Sequence, residues 1–398
     1  MSSAHSPAMF SAFTNEEYRH RLEGAQALMA EQGLDALLIT TEANFRWFTG
    51  LRSQGWVSPT RPMFLVVPAA RDPIAIIPAG NRVTMQATAW LDDVRTWPSP
   101  RPADEGVSLL IEALSKVSAR HGRIGGEFGT EHQLRMPILD FWRVQRALAP
   151  LEFVDGSAIT RRLRMIKSTA EIGRIHASAD LVSAAFEALP ERLGTAASER
   201  EAALELHVDI LRRGAEKVSY LVAASGPGGY ATINSSPSER ALGTGDVLII
   251  DVCSIVDGYF SDFDRNFGFG RVDDEALRAH DLVYRATEAG LAAARPGARA
   301  AELWQAMADA LGRDAIQAAN VGRMGHGIGL NMTEPPSIHP EDETVLEPGM
   351  AISIEPGIGY TSRNGERKVM VHEENVVLTD QGARLLTRRA PAEMPVIG

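Results

Sequence analysis

Asp251 and Asp262 stand on either side of Asp257-Gly258, and Gly-His326-Gly, Glu355-Pro-Gly and Glu373 follow downstream. Four carboxylates and one imidazole, each in a β-type or turn context, have the makeup of a paired-metal site. Residues 246–267 read as a hairpin, because Asp-Gly between apolar runs is a strong two-residue turn signal. With those two residues as the loop, Asp251 faces Asp264 and Asp262 faces Cys253; a loop one step earlier sets Asp251 against Asp262. Either register puts both aspartates on one face, since side chains alternate along a strand. Facing carboxylates repel and partly protonate unless a cation lies between them. A solvent-facing acidic hairpin is the plainer alternative.

The downstream residues shift that balance. His326 lies among glycines in Met324-Gly-His-Gly-Ile-Gly-Leu330, where the chain is free to come close to a site. Glu355 ends the apolar run 351–354, and a carboxylate there needs a partner. Within 369–379, alternation puts Val371, Glu373 and Asn375 on one face, with His372 and Glu374 turned away as solvent or second-layer groups. Cys253 shares the face of Asp251 and reads as small-residue packing or as a thiol near the metal. One imidazole with several oxygens suits two divalent ions, manganese first, with iron, cobalt or zinc as alternatives. Such a pair generates hydroxide at neutral pH and polarises a substrate carbonyl. Glu355 is placed to carry a proton to a leaving nitrogen.

Two textures of chain position these groups. Residues 1–160 alternate short strands with helices: a helix from a Thr14/Glu17 capping box through Gln32, strands at 35–40, 63–67, 74–77 and 123–127, and helices near 44–49, 106–120 and 137–148. Residues 161–398 open with helical stretches at 169–189 and 198–213. Strands then dominate at 218–223, 246–254, 259–267, 350–355 and 368–379, interrupted by helices near 275–294 and 300–311. The second half therefore reads as α+β, helices on a curved antiparallel sheet. The chain has 398 residues, a net charge of -11 and no Lys/Arg-rich run, which argues against nucleic-acid and anionic-membrane partners. No apolar run is long enough to span a membrane. Residues 1–9 do not read as a signal peptide. One cysteine fits a reducing cytoplasm.

The order Asp, Asp, His, Glu, Glu in the contexts GDVLIIDV, GYFSDFDRNF, GHGIGL, LEPGMAISIEPG and EENVVLT resembles the creatinase, prolidase and aminopeptidase P family. Arg164-Met-Ile-Lys167-Ser with Glu171 extends the resemblance, which covers most of the chain. It implies a C-terminal pita-bread domain, a smaller N-terminal creatinase-like α/β domain and a homodimer. Asp251, Asp262, His326, Glu355 and Glu373 match the five metal ligands. Four positions depart: Asn234 and Thr333 stand where the peptidases have histidines, Val371 where arginine is usual, and Asp264 where threonine is usual. Asn234 and Thr333 still donate hydrogen bonds but carry no charge. Asp264 is a cation-recognising or proton-transfer candidate, with an ordinary hydrogen bond as the bland alternative. Tyr230, also a substrate-binding candidate, and Tyr259 are further candidates to replace the histidines. In the loop 51–62, Arg61 resembles the creatinase arginine that binds substrate carboxylate from the neighbouring subunit, and Trp56 is a pocket wall or dimer contact.

The expectation is a dinuclear hydrolase of a C–N bond, by default in Xaa-Pro dipeptides or small amides. The alternatives are a creatinase-like amidinohydrolase, a lyase resembling the dimethylsulfoniopropionate enzyme, and a catalytically silent binding protein.

Overall fold

In the computed structural model the described residues are 10–117, 119–194, 196–312, 316 and 322–398; the signal-peptide reading falls on residues 1–9, outside them. Two compact units are present, Ser11–Arg164 and Met165–Gly398, the latter joined by Phe10.

The first unit is built on one six-stranded sheet. Helix α1 (Asn15–Gln32) begins where the Thr14 hydroxyl accepts the Glu17 N–H at 3.2 Å, and it ends at Gly33 in the left-handed region. Glu17 does not complete a capping box; its carboxylate takes Arg21 at 2.7 Å instead. There follow β1 (Ala36–Ile39), α2 (Glu42–Thr49), β2 (Phe64–Pro68), β3 (Ile74–Pro78), α3 (Arg82–Thr88), β4 (Val94–Trp97), α4 (Val107–Ser115), β5 (Arg123–Gly126), α5 (Ile138–Leu148), β6 (Glu152–Asp155) and α6 (Ser157–Met165). The sheet order is β4-β3-β2-β1-β5-β6, with only the β1–β2 and β2–β3 ladders antiparallel. Its core gathers Leu38, Phe64, Val66, Ile76, Leu110 and Val144, all fully buried.

The second unit begins with α7 (Thr169–Ala188), opened by a complete capping box between Ser168 and Glu171. After it come α8 (Pro190–Leu193), α9 (Glu199–Arg213), β7 (Lys217–Pro227), β8 (Asp246–Val256), β9 (Tyr259–Phe269), α10 (Asp274–Ala293), α11 (Ala300–Leu311), β10 (Gly325–Gly327) and β11 (Glu334–Ser337). The chain closes with β12 (Ala351–Ile354), β13 (Gly357–Thr361), β14 (Arg367–Val371), β15 (Glu374–Thr379), β16 (Gly382–Leu385) and β17 (Val396–Ile397). One sheet runs β17-β9-β8-β7 and a second β11-β10-β12-β15-β16, while β13 and β14 pair as a ribbon. Every ladder here is antiparallel except β17–β9. Helices α7 and α9 pack on the first sheet, and α10 packs on β12, β13 and β14. The apolar interior includes Val247, Ile249, Val283, Leu303, Ile352 and Ile354.

The β8–β9 hairpin closes through Asp257 and Gly258 at φ 47 and 79, a two-residue turn with both residues left-handed. Arg174 of α7 anchors it, Nε lying 2.7 Å from Asp257 Oδ2, with both side chains nearly out of solvent. The expected single strand at 368–379 is in fact two. β14 pairs with β13 and β15 with β12, so the chain changes sheets at His372-Glu373. Among the described residues no helix is long and apolar enough to cross a membrane.

Candidate metal centre

The β8–β9 ladder gathers the acids. Asp251 pairs with Asp264 and Cys253 with Asp262, the first of the two registers open to the sequence. All four side chains therefore share one face. β7 extends that face, with Val222 opposite Asp251 and Tyr220 opposite Cys253. The second sheet supplies the rest. His326 is the middle residue of β10 and lies opposite Ser353 of β12. Glu355 follows β12 directly, and Glu373 precedes β15. Glycine is required on both sides of His326. A Cβ on Gly325 would lie 2.3 Å from the Ser353 carbonyl oxygen, and one on Gly327 would lie 2.2 Å from that of Pro335.

Donor atoms of Asp262, His326 and Glu373 lie within 4.8 Å of one another, and all three residues are buried. His326 Nε2 is 3.5 Å from Asp262 Oδ2 and 3.7 Å from Glu355 Oε1. Those spacings are too long for hydrogen bonds and suit donors disposed around a shared cation. Nδ1 lies 3.0 Å from the Gly327 carbonyl oxygen. Donating there leaves Nε2 as the lone-pair nitrogen facing the acids.

A supporting layer orients the acids. The Ser353 hydroxyl donates to Glu373 Oε1. Asn375 brackets the main chain of Asp262, accepting its N–H at 3.0 Å and donating to its carbonyl oxygen at 2.5 Å. The Cys253 thiol donates to Asp262 Oδ1 at 2.8 Å, so it touches a candidate ligand rather than only filling space.

Burial dominates the electrostatics. Together with the nearby Glu355 it raises Asp251 to about 7. Glu355 also rises to about 7 from burial, against the pull of Arg323. Burial first, then neighbouring carboxylates, hold Asp262 and Glu373 well above the usual carboxylate range. Two buried oxygens, Asp251 Oδ1 and Asp264 Oδ2, have no hydrogen-bond partner. Carboxylates this crowded and this short of donors call for bound cations. The oxygen-rich donor set with one imidazole fits hard divalent ions.

Comparison with known proteins gives the same reading. Residues 173–380 match the model of "Metallopeptidase family M24", and residues 21–166 match "Creatinase/Prolidase N-terminal domain". The chain belongs to metallopeptidase family M24. Its fold is the family's: an N-terminal creatinase-like domain and a C-terminal pita-bread domain. A probable dipeptidase PepE of Mycobacterium tuberculosis is 30% identical, over 97% of this chain and 98% of its own. An Xaa-Pro dipeptidase of Pyrococcus furiosus is 32% identical, over 93% of this chain and 98% of its own. The crystal structure of a prolidase from Thermococcus sibiricus superposes with a TM-score of 0.84 at 25% identity, covering 97% of this chain and 100% of that one.

Within this M24 scaffold the remaining sequence candidates fall in different places. Thr333 is partly buried, 3.5 Å from Arg323 Nη2, and Arg323 Nε is 3.9 Å from Glu355 Oε1. Arg323 thus brings a permanent cation beside Glu355, a role its sequence position did not suggest. Asn234 lies exposed, its backbone N–H on the Thr232 hydroxyl. Tyr230 differs from the expectation of a substrate-binding group. It is fully buried; its hydroxyl donates to Asn266 and accepts from the Val371 N–H. Tyr259 is committed too, donating to Glu171 Oε1 at 2.8 Å. His372 and Glu374 are not solvent groups. Both are buried, and Glu374 receives Arg265, Arg389 and Thr387. In the N-terminal unit Arg61 is partly exposed, on Thr60 and 3.6 Å from Glu105. Trp56 there is buried edge-on against Phe45 and under the Arg135 guanidinium.

Tyr220 was missed. It is half-exposed on the metal face, and burial with Asp251, Cys253, Asp262 and Glu373 around it keeps its phenol protonated. The only sequence signal was its place in an apolar strand ahead of the first aspartate.

Proposed function

We propose that this chain hydrolyses Xaa-Pro dipeptides or closely related small amides with two divalent ions held by Asp251, Asp262, His326, Glu355 and Glu373. The observation that carries the reading is the convergence of these donors from two sheets onto one face, with buried oxygens that have no protein donor. The names of the M24 relatives support the substrate class. Bound ions would lower the pKa of a water and polarise the scissile carbonyl.

The chain's own groups divide the remaining work. Glu355 is partly open to solvent, with 23% of its side chain exposed beside Arg323. Its Oε1 takes the proton released as water adds to the carbonyl carbon and hands it to the nitrogen when the C–N bond breaks. Thr333 and Arg323 are donors on the Glu355 side, and Tyr220 is a donor near Asp251, Asp262 and Glu373. They take the part that histidines play in the peptidases, holding the carbonyl oxygen as charge develops on it. The reading includes manganese as the first candidate metal, a homodimer and a cytoplasmic location, which the single cysteine suits.

The test is proline release from a panel of Xaa-Pro dipeptides by manganese-loaded protein, with Asp262→Ala as the control. Turnover that disappears in the variant is the expected result. Absence of turnover in metal-loaded protein would redirect the search to creatine-like and sulfonium substrates.

A further inference from the structure

Asp264 stands where the resemblance leads one to expect threonine, and its surroundings do not account for a carboxylate. It lies directly across the ladder from Asp251, on the metal-facing side of β9. Its residue exposure is 1%. Oδ1 receives one long hydrogen bond, from Asn266 Nδ2 at 3.4 Å, and the same amide makes a closer bond, 2.7 Å, to the Val371 carbonyl. Oδ2 has no partner, and neither has Oδ1 of the facing Asp251. The neighbouring Arg265 helps through its charge but gives the Asp264 carboxylate no hydrogen bond. Arg265 sends its guanidinium to Glu374 Oε2 at 3.1 Å and to the carbonyls of Asp264, Glu373 and Arg388.

Two facing carboxylates, each with a buried orphan oxygen, are costly unless a positive charge sits between them. A substrate ammonium is a poor candidate for that charge, because solvent reaches the cluster at Asp251, Glu355 and Arg323, whereas Asp264 is sealed. We propose that Asp264 is a sixth protein donor to the metal pair, sharing with Asp251 the ion held at that end of the cluster. The inference rests on the metallohydrolase reading above and refines it. Four ligating carboxylates become five, so the pair of ions meets a more anionic cage than the five-ligand set alone provides. That favours hard, oxygen-seeking ions over softer ones.

The experiment is calorimetric titration of metal-free protein with manganese, comparing wild type with Asp264→Asn and Asp264→Thr. Electron paramagnetic resonance of bound manganese provides the second readout. Wild type should take up two equivalents. In both variants one equivalent should bind about ten- to a hundredfold more weakly, with the other unchanged and the spectrum of the paired ions altered. Thermal unfolding of the metal-free variants, expected at or above the wild-type temperature, confirms that they fold. Two equivalents bound as tightly by both variants as by wild type would overturn the proposal. So would Asn alone retaining full affinity, since its amide would then stand in for a hydrogen bond from Asp264 to Asp251. A wild type that takes up no manganese, iron, cobalt or zinc overturns the metallohydrolase reading itself, an outcome distinct from either of these.

Discussion

Glu127 in the N-terminal unit and Glu373 in the C-terminal unit are both buried carboxylates, held in opposite ways. Glu127 is caged by donors: the backbone N–H groups of Thr40 and Thr41 at 2.6 and 3.0 Å, the Asn44 amide at 2.6 Å and both threonine hydroxyls. Among the described residues Glu373 receives only the Ser353 hydroxyl, and it shares its surroundings with Asp251, Asp262, Asp264 and Glu355. Within the C-terminal unit, adjacent residues repeat the contrast, because Glu374 is neutralised by Arg265 and Arg389. A carboxylate whose charge is fully answered by protein belongs to the architecture. One left among like charges is waiting for something that is not protein.

That comparison can be broken by experiment. Glu127→Ala leaves a set of buried donors without an acceptor, and should cost about 3 kcal/mol or more of stability while leaving manganese affinity unchanged. Urea unfolding and metal titration together read this. A drop in metal affinity would show that the cage serves the site rather than the fold.

The metal-free cluster should make stability depend on pH. Asp251 and Glu355 lie at about 7 when folded, against 3.8 and 4.5 ordinarily. The folded state therefore holds protons that the unfolded chain has released, and stability falls as pH rises from about 4 through 7. At about 1.4 kcal/mol for each pH unit over which a group keeps its proton, the two together should cost on the order of several kcal/mol. Saturating manganese, which takes the place of those protons, should flatten the profile. Unfolding temperatures between pH 5 and 8, with chelator and with metal, decide the matter. A flat metal-free profile would place Glu373 and its neighbours in the same class as Glu127.

Smaller changes sharpen the contrast. Ser353→Ala removes the hydroxyl on Glu373 and should weaken manganese binding about tenfold or somewhat more, with little change in stability. Thr41→Val removes one hydroxyl from the Glu127 cage and should cost about 1 kcal/mol, with no effect on metal.

The hairpin and the shared face of its acids were legible, because Asp257-Gly258 marks a turn and alternation holds in either register; the ladder itself selects the one with Asp251 opposite Asp264. The core strands at Phe64 and Ile76 were legible for the same local reason. Glu373 meets Asp262 and His326 by a route that the sequence did not show. Its strand was read as continuous, yet the chain passes between sheets at that point, which buries His372 and Glu374 instead of turning them outward. Tyr220, Ser353 and Arg323 escaped notice because nothing in their local sequence marks them. Each acquires meaning from a partner far along the chain: Cys253 across the ladder, Glu373 from the next strand, Glu355 from beyond β12. Tyr230 looked available by type, but long-range pairing with Val371 and Asn266 consumes its hydroxyl.

The two-residue turn at Asp257-Gly258 also sets what evolution can do to this molecule. Asp251, Cys253, Asp262 and Asp264 share a face only because β8 and β9 meet in one register. A single inserted or deleted residue in either strand would turn the residues beyond it to the opposite side of the sheet. Arg174, clamped on Asp257, resists accommodation at the tip. Letters along this hairpin are open to rewriting, as Asp264 shows, but its length is not. Divergence here proceeds by substitution, and changes in chain length must fall elsewhere.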